Sequence, residues 1–282
     1  MENFTSEKDR ALWSAASSGD AVEVKKALKE GADANATNYL GMTPLMALLD
    51  ASEMINPAAQ LKIAKLLIGA GSEVNTISGL GQSPMSLAIE NGRFSLVKYL
   101  HESGADLGIA TDNGDNYIYK AVDSYDGSKN YIKIIEYLME NGVDADAVRR
   151  DNGQTALFRA VDLQALPVVK LLTGKGKADV NRKDIWGLSP IHYACREASA
   201  NIVKVLVEAG ADPNAQDEYG FTPLHEAVLN DRKLVINYLI EKVGVDKKLG
   251  LTADFEDFSK GDTPYDIAVK TNKSLPLQIA LM

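Results

Sequence analysis

The stretch GFTPLHEAV, Gly220 to Val228, restates the stretch GLSPIHYAC, Gly187 to Cys195, which lies 33 residues earlier. Each copy sets a hydroxyl, a proline and a histidine at the start of an apolar run. Further copies appear when the chain is aligned on the hydroxyl: Thr43, Ser83, Asn116, Thr155, Ser189, Thr222 and Thr263. The steps between them are 40, 33, 39, 34, 33 and 41 residues. A degenerate opening copy, RALWSAASSG, keeps Leu12, Ala15, Ala16 and Gly19 without the Thr-Pro pair. A period of this size is the mark of a stacked array, whose end units are atypical because they close the core.

Each copy reads as two short helices and a turn. In the sixth, Ser189 takes the N-cap and Pro190 the first helical position, where its missing N–H and fixed φ do no harm. Ile191, Ala194 and Cys195 share one face of that helix. Ile202, Val203, Leu206 and Val207 then give a second apolar stripe of helical period. Gly210 stops the second helix, and ADPNAQDEYG turns the chain outward and back. One such unit cannot bury its own stripe, whereas stacked neighbours can.

The pattern resembles the ankyrin repeat. TPLHEAV pairs with LVINYLI, SPIHYAC with IVKVLVEAGADPNAQD, SPMSLAIENG with LVKYLHESGAD, and TPLMALL with AKLLIGAGSEVN. The resemblance runs from about Asp9 to Leu281 and implies an all-α ankyrin-repeat solenoid with β-hairpin-like turns, elongated and curved. The expected layout is a single domain, 1–282, with repeats near 9–38, 39–78, 79–111, 112–150, 151–184, 185–217, 218–258 and 259–282. The departures are three long insertions, at 50–60, 123–130 and 247–261, and an NYIY opening in the fourth copy. Long loops on a regular array mean either function or drift.

Composition narrows the function. The 282-residue chain is 45% hydrophobic and 24% charged, with a formal net charge of −9 and a pI near 5.0. An acidic chain without a run of five Lys/Arg argues against nucleic acid as a partner. Cys195 is the single cysteine, so no internal disulfide can form. The opening MENFTSEKDR lacks the apolar run of a signal peptide, and no segment has the ~18 apolar residues of a membrane span. The cytoplasm is the expected compartment and a monomer the expected state.

The phrase itself does not read as chemistry. The resemblance implies that Thr222 and His225 hydrogen-bond locally and to the neighbouring loop, and the same is expected of His192. Met46, Ser86, Tyr119, Phe158 and Asp266 fill the same position elsewhere, whereas a catalytic group needs one orienting partner in one cleft. Thr43, Pro44, Thr155, Pro190, Thr222, Pro223 and Gly210 are structural for the same reason. His192 and Cys195 share a face, yet zinc needs at least three protein ligands and no matching pair exists. His101, near the end of a second helix, suits the helix C-terminus. GLGQSP lacks the third glycine of a dinucleotide fingerprint, TGKGKAD misses the P-loop spacing, and DSYDGSKNYIKI misses the calcium loop. No catalytic residue, cofactor or metal is expected.

Two surfaces remain. The turn tips carry Tyr39, Trp186 and Tyr219, which either bind a partner or pack on neighbouring tips. On the first helices the position after the histidine reads Ser14, Ala47, Leu87, Lys120, Arg159, Tyr193, Glu226 and Ile267, and is expected on the concave side. Lys120, Arg159, Tyr193 and Glu226, with Tyr125 nearby, form the candidate site for a protein or peptide. An arginine there can grip a carboxylate in bidentate fashion. Asp123 and Asp162 lie one turn along and can pair with Lys120 and Arg159 instead. The expected function is a non-enzymatic interaction scaffold. The alternatives are an exported effector or protector, a sensor of a small ligand, and an enzyme's substrate modified at Asn75 or Asn214.

Overall fold

Seven-residue helices that begin on a Ser, Thr or Asn cap set the architecture, because each is too short to stand alone in water. In a computed structural model, within each of two units the first helix of a pair lies against the first helix of the next, and second helices stack in the same way. The structure describes residues 4, 6–51, 55–111, 113–197 and 199–282. Contacts gather the chain into two compact units, Met1–Val143 and Asp144–Met282.

Unit one holds four helix pairs. They are α1 (Glu7–Ser18) with α2 (Ala21–Lys29), α3 (Pro44–Asp50) with α4 (Pro57–Gly69), α5 (Pro84–Glu90) with α6 (Phe94–Glu102), and α7 (Tyr117–Asp123) with α8 (Lys129–Glu140). The first helices pack in the order α1, α3, α5, α7 and the second in the order α2, α4, α6, α8. Between the two layers Leu12, Leu45, Leu48, Ile63, Leu67, Ile89, Leu100, Ile118 and Leu138 are fully buried.

Unit two repeats the plan with α9 (Ala156–Asp162), α10 (Leu166–Gly174), α11 (Pro190–Arg196), α12 (Ala200–Glu208), α13 (Pro223–Leu229), α14 (Lys233–Tyr238), α15 (Pro264–Lys270) and α16 (Leu275–Leu281). One π-helical turn, Leu239–Val243, extends α14 and absorbs a residue that α12 lacks between its buried leucine and the closing glycine. Cys195 is buried on α11 beside Ala194, and burial pushes its thiol well above the usual range.

The connecting turns tie each unit together through backbone bonds. At the second, sixth and seventh tips, Asn38 N–H donates to Met42 O (3.1 Å), Asp184 N–H to Leu188 O (2.9 Å) and Asp217 N–H to Phe221 O (3.0 Å). Neighbouring tips join directly, Gly79 N–H to Leu40 O (2.8 Å) and Ile185 N–H to Asn152 O (3.1 Å). Below the tips a row of side-chain amides spans successive repeats. Asn75 donates to Gly104 O (3.1 Å) and accepts from Asp106 N–H (2.9 Å), while Asn214 accepts from Asp246 N–H (2.9 Å).

The insertions have three outcomes. The one at 50–60 lies partly outside the described residues, but Ile55 is buried and lies where a side chain on Gly19 would point. The one at 123–130 leads into α8, whose Tyr131 hydroxyl donates to Glu90 O (2.6 Å). The one at 247–261 folds as a long hairpin from Leu251 to Asp262, with Phe255 and Phe258 exchanging both backbone bonds at 2.9 Å.

Candidate interaction surface

The phrase residues act as clamps between repeats. In repeat six the Ser189 N–H donates to His192 Nδ1 (3.1 Å), so Nδ1 is the acceptor and Nε2 carries the proton. Nε2 then donates to Ala215 O (3.0 Å) at the end of its own repeat and to Phe221 O (3.2 Å) of repeat seven. Repeat seven copies this, with Thr222 N–H on His225 Nδ1 (3.0 Å) and Nε2 on Asp262 O (3.3 Å). Burial lowers the basicity of both imidazoles, His225 to a pKa of about 4. A histidine held neutral with both ring nitrogens engaged fits a structural link. Thr155 holds the N-cap position of repeat five, where Phe158 replaces the imidazole, and its buried hydroxyl has no hydrogen-bond partner among the described residues. Thr43 and Pro44 start α3 without a histidine, Thr43 Oγ1 accepting from Met46 N–H (3.3 Å). Gly210 lies in the left-handed region at φ 95°, closing α12.

The first-helix candidates of unit one are bound to their own neighbours. Lys120 forms an ion pair with Glu90 of the preceding repeat. Tyr125 sets its ring edge-on to Tyr131 with centroids 6.4 Å apart. Ala47 and Leu87, at the position expected on the concave side, are buried.

Unit two is engaged further. Arg159 pairs with Asp162 one turn on, at 2.5 Å. The Tyr193 hydroxyl donates to Asp184 Oδ2 (2.7 Å) and accepts from Gln154 Nε2 (2.9 Å), and its ring stands edge-on to Phe158 at 5.5 Å. Burial and the Asp184 carboxylate push the Tyr193 phenol well above its ordinary range. Arg196 lies over the same ring at 5.2 Å and grips Glu226 with two bonds, Nε to Oε2 (3.1 Å) and Nη2 to Oε1 (2.9 Å). Arg196 O in turn accepts from Arg232 Nε (2.6 Å). Glu226, read in sequence as a contact residue, is only 7% exposed. Arg196, Asp184 and Gln154 were not singled out in the sequence. The signal for Arg196 was its place one turn after Tyr193, but its partner lies 30 residues away.

The tips behave differently. Tyr39 is 65% exposed, Trp186 50%, its neighbour Ile185 52% and Tyr219 40%. Ile185 leans on Gly153 of the preceding tip, whose φ of 71° keeps that position open. Tyr219 rests against Phe255 of the long hairpin (4.7 Å), and Phe221 meets Phe255 and Phe258 at 5.6 and 6.2 Å. The insertion at 247–261 therefore props one face of Tyr219 and leaves the rest open. Among the described residues no group of three His, Cys, Asp or Glu is placed to hold a metal ion, and no helix is long and apolar enough to cross a membrane.

The sequence matches the family model for ankyrin repeats in three copies, over residues 55–149, 128–184 and 165–250. It is 29% identical over 156 residues to the nuclear factor NF-kappa-B p105 subunit of Gallus gallus, covering 54% of this chain and 15% of that protein. It is 30% identical over 185 residues to NF-kappa-B inhibitor alpha of Gallus gallus, covering 65% of this chain and 55% of that one. Among solved structures, the ankyrin repeat domain of Bcl-3 superposes with a TM-score of 0.68 at 26% identity, covering 82% of this chain and 97% of that domain. The matched stretch spans roughly half or less of both relatives from Gallus gallus. With the repeating phrase, the paired helices and the hairpin tips all in place, the chain belongs to the ankyrin repeat family.

Proposed function

We propose that this chain is a non-enzymatic scaffold that holds a protein or peptide partner, working as a monomer in the cytoplasm without nucleic acid. Ankyrin arrays are generally protein-interaction modules, and the family match supports that class of function here. The observation that carries the reading is the exposed apolar tip run of unit two, Ile185, Trp186 and Tyr219, fixed on bonded hairpins. Exposed aromatics on a rigid frame gain most from burial and lose little ordering entropy on docking. Arg159 and Tyr193 are assigned supporting contacts within unit two, and Glu226 acts through Arg196. Lys120, Tyr125 and Tyr39 are assigned a separate contact surface on unit one.

Affinity capture from lysate, with Trp186→Ala/Tyr219→Ala beside Arg159→Glu, tests the assignment after each variant is confirmed folded. The tip variant is expected to lose a protein that the parent retains, and Arg159→Glu to retain less of it. Equal retention by all three chains removes the tips and the first-helix face from the reading.

A further inference from the structure

On the opposite layer of unit one, α2 presents Val22, Lys25, Lys26 and Lys29 at i, i+3, i+4 and i+7, one continuous helical stripe. Its other face, with Val24 and Ala27, is buried. Lys62 and Leu66 of α4 complete a shallow groove of about 420 Å³ along that stripe. Val22 is 75% exposed on its rim. Lys26 meets Glu23 at 3.2 Å, but Lys25, Lys29 and Lys62 have no ion pair or hydrogen bond among the described residues.

Such a stripe is costly when left alone. Lysines four apart on one helix repel, and Lys62 brings a further positive charge from across the groove. In a chain of net charge −9, this concentration of unpaired cations about an apolar floor calls for a partner of opposite sign. We propose that the α2/α4 groove seats an acidic amphipathic helix of a partner protein. Its apolar residues lie on Val22 and Leu66, and its flanking carboxylates face Lys25, Lys29 and Lys62. The period of the stripe is that of helix-in-groove recognition. A short helix inside the groove feels the local lysines within a Debye length of about 8 Å, whereas an extended anionic lipid or nucleic-acid surface also meets the acidic remainder of the chain.

The groove lies on the second-helix layer, apart from the tips and first helices, so it stands or falls independently of the proposed scaffold site. The test is fluorescence anisotropy with a labelled synthetic helix bearing leucines along one stripe and glutamates beside them. A counterpart has lysine for each glutamate. Saturable binding of the acidic helix is expected to weaken about tenfold or more in Lys25→Glu/Lys29→Glu/Lys62→Glu, and similarly at about 0.5 M salt. The lysine counterpart is expected to prefer that variant. All three lysines are exposed, so the variant should keep the parent's urea midpoint. Val22→Ser is expected to weaken binding several-fold on its own. Equal binding by parent and charge variant overturns the proposal, as does a charge effect with no loss in Val22→Ser. Co-sedimentation with phosphatidylserine vesicles without peptide binding overturns it in favour of a lipid surface.

Discussion

Thr155 and Thr222 occupy the same place in their repeats yet bear different burdens. The Thr222 hydroxyl lies 2.9 Å from His225 Nδ1, while that of Thr155 is buried without a partner among the described residues. Replacing a satisfied buried hydroxyl loses a bond, whereas replacing an unsatisfied one removes only a desolvation cost. Thr222→Val is therefore expected to lower stability by about 1–2 kcal/mol, and Thr155→Val to leave it within about 0.5 kcal/mol or raise it, as read from urea midpoints. The histidines make stability depend on pH. His225 titrates near 4 when folded and near its ordinary 6.5 when unfolded, so between those values the unfolded chain binds more protons. Its contribution is whole above about pH 6.5 and is lost as the pH falls toward 4, amounting to roughly 3 kcal/mol. His192 shifts in the same direction, and Glu226 beside it opposes the shift. His225→Gln is expected to flatten the slope of melting temperature against pH over that window.

At the scale of the element, the turns and second helices make separate demands. Gly31 and Gly220 both adopt positive φ, 83° and 92°, but only Gly220 faces another chain segment, the backbone of Leu251 and Thr252. Gly31→Ala is expected to cost about 1 kcal/mol from strain, and Gly220→Ala at least twice that, since the long hairpin must shift. Leu206 is fully buried on α12, and Leu206→Ala should cost about 2–5 kcal/mol. An unchanged urea midpoint in either Gly220→Ala or Leu206→Ala would contradict these packing assignments. The helices were legible because Ser83, Ser189, Thr222 and Thr263 cap them and proline follows each cap. The long hairpin was not legible. Its pairing depends on Phe255 and Phe258 meeting Phe221, more than 30 residues earlier, and no local period records that meeting. The setting of Glu226 was not legible for a related reason. Its position in the repeat reads as the concave side, but Arg196 one repeat earlier decides that it is buried and paired.

For the molecule as a whole, stability is a sum of repeats and of the contacts between neighbours. Protection against hydrogen exchange should accordingly be highest in α11 to α13, which have neighbours on both sides within unit two, and lowest in α16. Uniform protection along unit two would argue against nearest-neighbour energetics. The layering of paired helices followed from periodicity, because apolar stacking residues recur at helical spacing along the chain. The lysine stripe of α2 did not stand out, since its charges become a groove only when α4 is laid beside it.

The solitary thiol of Cys195 has a practical consequence. It is fully buried on α11 and its ionisation is suppressed, so a maleimide or disulfide reagent cannot reach a thiolate in the closed state. Labelling must wait for unit two to open, and its rate becomes a built-in clock for that opening, with no probe introduced. A cysteine placed at Trp186 or Lys29 would then react first and alone, letting dyes report on either proposed surface while Cys195 records the integrity of the stack beneath.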